Sequence, residues 1–149
     1  MTQHAGIRLT FEIDKVSHLK HGDVSLVLDR TYLYSAHKTL GVEYKVMLGD
    51  TEAGVLNALI NDDAAINPEE GNIGLTLHRE HLNKGIPAKA ARALCGLFKH
   101  FGQNEYIITF DKEDDSIHQT CLELSGKYLD TLPATTGKPK IRYVMSCEY

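Results

Sequence analysis

Eight consecutive residues, His81, Leu82, Asn83, Lys84, Gly85, Ile86, Pro87 and Ala88, sit where a polar turn hands over to an apolar stretch of helical period. The first turn of a helix presents main-chain N–H groups without partners and a partial positive charge, so such a junction can hold an anion such as a pyrophosphate. The same residues also suit a plain connection, with Gly85 making the turn and Lys84 solvated. Carboxylates able to take a proton flank the neighbouring elements: Glu69 and Glu70 lead into the strand before the loop, and Asp111 ends the strand after it. Glu113, Asp114 and Asp115 form an acidic segment whose plain reading is the start of a helix.

Other chemistries find less support. His18 with His21, and His78 with His81, make H-x-x-H pairs. Structural zinc takes four ligands and catalytic zinc at least three protein ones, and no HExxH helix or cysteine cluster completes either pair, so no metal is expected. Without a G-x-S-x-G elbow, a Ser/His/Asp hydrolase is also unsupported. Cys95, Cys121 and Cys147 are odd in number and far apart, which suggests neither a disulfide framework nor a zinc knuckle. A reducing, cytoplasmic setting is the expectation.

The elements that must position these residues follow from periodicity. Val24, Leu26 and Leu28 alternate as in a half-buried strand, behind a turn signal at Gly22 and Asp23. Residues 43–48 and 54–60 read as two strands joined by a tight turn at Gly49 and Asp50. A polar loop over 61–71 precedes a central strand over 72–78, carried by Ile73, Leu75 and Leu77. From Pro87 the period changes, and Ala91, Leu94, Leu97, Phe98 and Phe101 share one helical face, stopped at Gly102. Residues 106–110 are β-branched and aromatic, so strand, helix and strand occur in the order of a parallel crossover. A second helix is expected from Asp115 or Ser116 to Gly126, with Ile117, Cys121 and Leu124 inward, then a hairpin connection over 133–139 and a last strand over 140–145.

The 149 residues suit one domain spanning the chain, and 42% hydrophobic with 24% charged residues is a globular balance. A net charge of −4, spread along the chain, leaves no basic stripe for a phosphate backbone, and no long uncharged apolar run suits a membrane. Nucleic acid and membrane are not expected partners.

From Gly41 to Tyr149 the order of elements resembles a GNAT N-acetyltransferase domain. Leu82 to Pro87 occupy the six places of that family's R/Q-x-x-G-x-G/A loop, with Gly85 matching its first glycine. Residues 72–77 resemble its IGY-x-V strand, Ala88, Lys89 and Ala90 its helix start, Ile107, Ile108 and Thr109 its next strand, and 116–126 its S-x-x-x-C/Y-E-K-x-G segment. The resemblance implies an α/β (α+β) fold: a mixed central sheet of antiparallel N-terminal strands followed by a βαβ unit with splayed parallel strands, and helices on both faces. It implies acetyl-CoA as cofactor and direct transfer of the acetyl group to a primary amine of a small molecule or protein, in a homodimer. A non-catalytic GNAT-like module that binds CoA or another ligand is the alternative. Cofactor contacts would come from Leu77, His78, Arg79, Asn83, Lys84, Gly85, Ile86, Pro87, Ala88 and Asp114. Glu70 or Asp111 would take the amine's proton, and Cys121, at the family's tyrosine position, would protonate the leaving thiolate. Leu82 in place of Arg or Gln removes a charge-assisted contact worth about 1.5–3 kcal/mol, and Pro87 removes one amide donor.

Overall fold

The turn signal at Gly22 and Asp23 joins two strands, β1 (His18–His21) and β2 (Val24–Tyr34), in the computed structural model, which describes residues 15–34, 39–60, 73–82, 84–132 and 138–147. Two-residue connections of this kind favour positive φ, and Gly22 and Gly49 each supply φ of 62°. Gly49 and Asp50 thus link β3 (Thr39–Leu48) to β4 (Thr51–Ile60) as expected, and β5 (Ile73–Leu77) pairs antiparallel with β4. The outcome is a five-stranded antiparallel sheet in the order β1-β2-β3-β4-β5. Its inward alternation is Val24 and Leu26 on β2, with Val42, Tyr44 and Val46 on β3, all fully buried. The Tyr44 hydroxyl, so buried that its ionisation is pushed up, donates to the Val16 carbonyl at 2.7 Å.

Helix α1 (Ile86–His100) buries the face read from the sequence, from Ile86 through Leu94, Leu97 and Phe98, against β1 and β2, and stops before Gly102 at φ 78°. Phe98 stacks on Tyr106 at 5.1 Å between ring centres. A fully buried side chain of this size contributes about 1.5–3 kcal/mol. After α1 come β6 (Glu105–Asp111), α2 (Asp115–Glu123), β7 (Lys127–Leu132) and β8 (Lys140–Ser146). These three strands form a second antiparallel sheet in the order β6-β8-β7.

Several expectations need correction. β5 is an edge strand rather than the central strand, hydrogen-bonded to β4 on one side only. No ladder joins it to β6 across the crossover, although the two lie in contact, so the splay is complete along the described residues. Strands β1 and β7 were not read from the sequence, β1 because it has four residues and β7 because all six of its residues are exposed or only half covered. Helix α2 is capped by Asp114, whose Oδ1 accepts from the Ile117 amide at 3.1 Å, one or two residues earlier than expected. Finally, Cys95 in α1 and Cys147 after β8 form a disulfide with Cα atoms 5.3 Å apart, against the expectation of free thiols. Fifty-two residues separate them, so no sequence spacing signalled the pairing.

Candidate functional site

The edge of β5 that faces β6 is built by strand alternation. The His78 amide donates to the Ala53 carbonyl at 2.8 Å, and the register pairs Val55 with Thr76 and Asn57 with Gly74. In an antiparallel pair, hydrogen-bonded residues alternate with residues whose N–H and C=O point the other way. Leu75 and Leu77 therefore turn their main-chain groups into the gap between the sheets. Their approach to β4 is fixed by Gly54, opposite Leu77, where a Cβ would collide with the Thr76 carbonyl oxygen and lie 2.9 Å from the Leu77 Cα.

A cavity of about 320 Å³ occupies this gap. Ile73, Gly74 and Leu75 of β5 form one wall and Ile108 to Asp111 of β6 the other, closed by Pro87 and Ala91 of α1 and by Ile117 and Thr120 of α2. Its charged groups are Asp111, Asp114 and Lys140, with the Lys140 ammonium 3.5 Å from the Asp111 carboxylate. Asp114 also carries the α2 cap, which orients its carboxylate along the helix start.

A second, more open cavity of about 530 Å³ lies over the start of α1. Leu77, Leu82, Gly85, Pro87 and Ala88 line one side, and one face of α2 the other. Gly85 takes φ of 72° as the residue before the helix, and no heavy atom lies within 4 Å of where its Cβ would be. No side chain caps α1, and its first turn carries no acid, so its field is uncompensated there. Pro87 supplies no donor, which leaves Ile86 and Ala88 as the first-turn amides. Pro87 and Thr120 belong to both cavities, which therefore meet at the first turn of α1.

The structure thus gathers Leu77, Gly85, Pro87, Ala88, Asp111 and Asp114 around one continuous space. It does not gather the rest. Ile86 is 1% exposed with its side chain in the core, and His78, Arg79 and Lys84 are exposed beyond both cavity walls. Asn83, Glu69 and Glu70 lie outside the described residues. Cys121 is 0% exposed, lines neither cavity, and has its thiol pushed up to about 11 by burial, which makes it a poor proton donor near neutral pH.

Some lining residues were missed. Thr120 and Lys140 reach the cavities through tertiary placement that no motif marks. His81, in the 3-10 turn Arg79–His81, is 6% exposed with neither ring nitrogen hydrogen-bonded among the described residues; the Glu80 carboxylate, at 3.7 Å, is too far. Among those residues, no group of three or more His, Cys, Asp or Glu could hold a metal ion, and no helix is long and apolar enough to cross a membrane.

An antiparallel meander whose last strand parts from a second sheet, with a helix start over the gap, is the architecture of the GNAT acetyltransferases, and this chain has that fold. It superposes on RimL, a ribosomal L7/L12 α-N-protein acetyltransferase solved with coenzyme A, with a TM-score of 0.67 at 10% identity, covering 87% of this chain and 97% of that one. The microcin C7 self-immunity acetyltransferase MccE, solved with acetyl-CoA and AMP, gives 0.58 at 18% identity over 71% of this chain. Only 61% of the MccE chain is spanned. RimJ of Mycobacterium smegmatis, solved with CoA-disulfide, gives 0.60 at 13% identity, over 76% of this chain and 56% of that one. No family model matches the sequence, and no curated protein matches it at the sequence level.

Proposed function

We propose that this protein is an acetyl-CoA-dependent N-acetyltransferase that moves an acetyl group directly to a primary amine of a small molecule or protein. The observation that carries the reading is the open edge of β5, where Leu75 and Leu77 present main-chain donors and acceptors to a cavity that runs on to the bare start of α1. An extended amide arm needs such an edge, and a pyrophosphate needs such a helix start. The acetyltransferases of this fold that were solved with CoA or acetyl-CoA support the same cofactor.

The residues present fit that group. Gly85 leaves the approach to the Ile86 and Ala88 amides clear of side chains, and Lys84 stands beside them in sequence. Leu77 would hold the pantetheine amides through its main chain, and Leu75 would do so deeper in the gap. Acetyl-CoA, when bound, supplies an activated acetyl thioester. Asp111 is the side chain assigned to take the amine's proton: it lines the gap, with the Lys140 ammonium 3.5 Å from its carboxylate. Holding thioester and amine in one narrow gap would then supply most of the rate. With Cys121 in the core, no tyrosine or thiol among the described residues lines the gap to protonate the leaving thiolate, which favours as second reading a module that binds CoA without turning it over.

The testing experiment is calorimetric titration of the full chain with acetyl-CoA. Binding near micromolar, abolished in Gly85→Asp and tightened in Leu82→Arg, is the expected result. No binding at millimolar ligand, or unchanged affinity in both variants, overturns the proposal. Acetylated product from an amine panel separates the enzyme from the non-catalytic module.

A further inference from the structure

Among the described residues, Gly74 is the one glycine that its own surroundings do not demand. Each of the others takes a positive φ or has an atom 3.0 Å or closer to where its Cβ would be. Gly74 lies inside β5 without a positive φ, is exposed, and its Cβ would meet no described heavy atom within 4 Å. A glycine inside a strand weakens it, and such a position often marks the close approach of a ligand. The register shows from which side. Tyr44, Leu56 and Leu75 form one row across the sheet, with Tyr44 and Leu56 in the core, so the next row, Glu43, Asn57 and Gly74, lies on the opposite face. On β6 the core residues Tyr106 and Phe110 leave Thr109 and Asp111 on that outer face too. Both helices lie on the inner side, α1 against the core of the first sheet and α2 with His118 beside the rings of Phe110 and Tyr143. The gap cavity is lined by Pro87, Ala91 and Thr120 from the helices and by Gly74, Thr109 and Asp111 from outward positions, so it runs through from one face to the other.

We propose that Gly74 sets the acceptor specificity: the side chain it lacks leaves room beside the reacting nitrogen, so that the protein takes an amine borne on a branched carbon, the chemistry of an amino-acid or peptide α-amine. The inference rests on the proposed function and specifies its acceptor. With the donor's phosphates at the start of α1, the helix side of the gap is occupied, while Asp111, assigned to take the amine's proton, stands on the outer face. The amine therefore arrives from the outer face, past Gly74. A side chain at this position would stand in the mouth of the gap and meet substituents on the carbon next to the nitrogen, which excludes branched acceptors by collision rather than by lost attraction.

The test is calorimetry on the full chain, unaltered and as Gly74→Val, with CoA and with two S-carboxamidomethyl conjugates of CoA, one bearing the amide of n-butylamine and the other that of alaninamide. A Cβ at 74 has free space and valine suits a strand, so the variant should melt no lower than the parent. The parent should bind the alaninamide conjugate at least as tightly as the butylamine one. Gly74→Val should weaken the alaninamide conjugate about tenfold or more relative to the other. A merely structural role would weaken both conjugates alike. That result, an unmoved ratio, or a parent that already prefers the butylamine conjugate overturns the inference, and binding of CoA in the same experiment leaves the acetyltransferase reading intact. No binding of CoA by the parent overturns both.

Discussion

Gly54→Ala tests the link between one missing methyl and the geometry of the gap. A Cβ at this position would collide with the Thr76 carbonyl oxygen and sit 2.9 Å from the Leu77 Cα and 3.1 Å from its Cδ2. Two of these atoms are main chain, so relief requires β5 to move away from β4. Overpacking of this kind costs about 1–3 kcal/mol, against which alanine regains about 0.5–1 kcal/mol for leaving a strand-interior glycine. The net expectation is a loss of about 1–2 kcal/mol, or a Tm lower by roughly 2–8 °C at this chain length. Urea unfolding should show a lower midpoint with unchanged slope. Amide NMR shifts should move at Leu75, Leu77 and His78, and hardly at β2. Gly85→Ala is the contrast: its Cβ meets nothing within 4 Å, but φ of 72° costs about 1–2 kcal/mol, so stability should fall without displacing β5. A Gly54→Ala protein as stable as the parent, with unshifted β5 amides, refutes the reasoning.

Three further outcomes are expected. His81→Leu should raise stability by about 1–3 kcal/mol in urea unfolding, because it replaces a buried ring whose nitrogens lack partners among the described residues with an apolar group of similar size; a loss of stability would show that the ring is satisfied. Thiol titration of the denatured, non-reduced protein should count one thiol, Cys121, and reducing the Cys95–Cys147 bond, which closes a 52-residue separation, should cost up to about 4 kcal/mol; three thiols would contradict the bond. Arg142 on β8 grips Asp130 on β7 with Nε–Oδ1 at 2.7 Å and holds that carboxyl below its ordinary value, so the pair's stabilisation is present above pH ~4 and fades as pH falls below it. The gap in urea midpoint between parent and Asp130→Asn should accordingly narrow from pH 7 to pH 3, and a constant gap would rule out the ion pair as its cause.

What the sequence made legible follows the strength of local signals. The Gly49–Asp50 turn, the apolar face of α1 and the Gly102 stop are each set within one or two turns of chain, and all three hold in the structure. The gap is different: residues 105–111 are as strand-prone as the runs that do pair, and nothing in them says that β6 will leave β5 unpaired. The candidate site divides the same way. Gly85 and Pro87 were found because their backbone properties mark a helix start, and the burial of Cys121 because it sits on the apolar face of its helix, whereas Thr120 and Lys140 depend on tertiary placement. Asp114 was legible as a helix-start acid from local composition, and its place on the cavity wall only from the resemblance.

The two sheets are sequential in the chain: residues 18–77 complete the first before any strand of the second, over 105–146, has been made. During synthesis the β5 edge is therefore finished while the wall that will face it does not yet exist. A strand edge with open main-chain groups and apolar residues at Ile73, Leu75 and Leu77 is a template for pairing with a neighbouring chain. The brevity of β5, five residues against ten in β4, limits that hazard, and the arrival of α1 and β6 removes it. The opening that gives the folded protein its groove is thus, in the nascent chain, the place most exposed to misassembly, and substitutions that slow docking of β6 should show first as lower soluble yield.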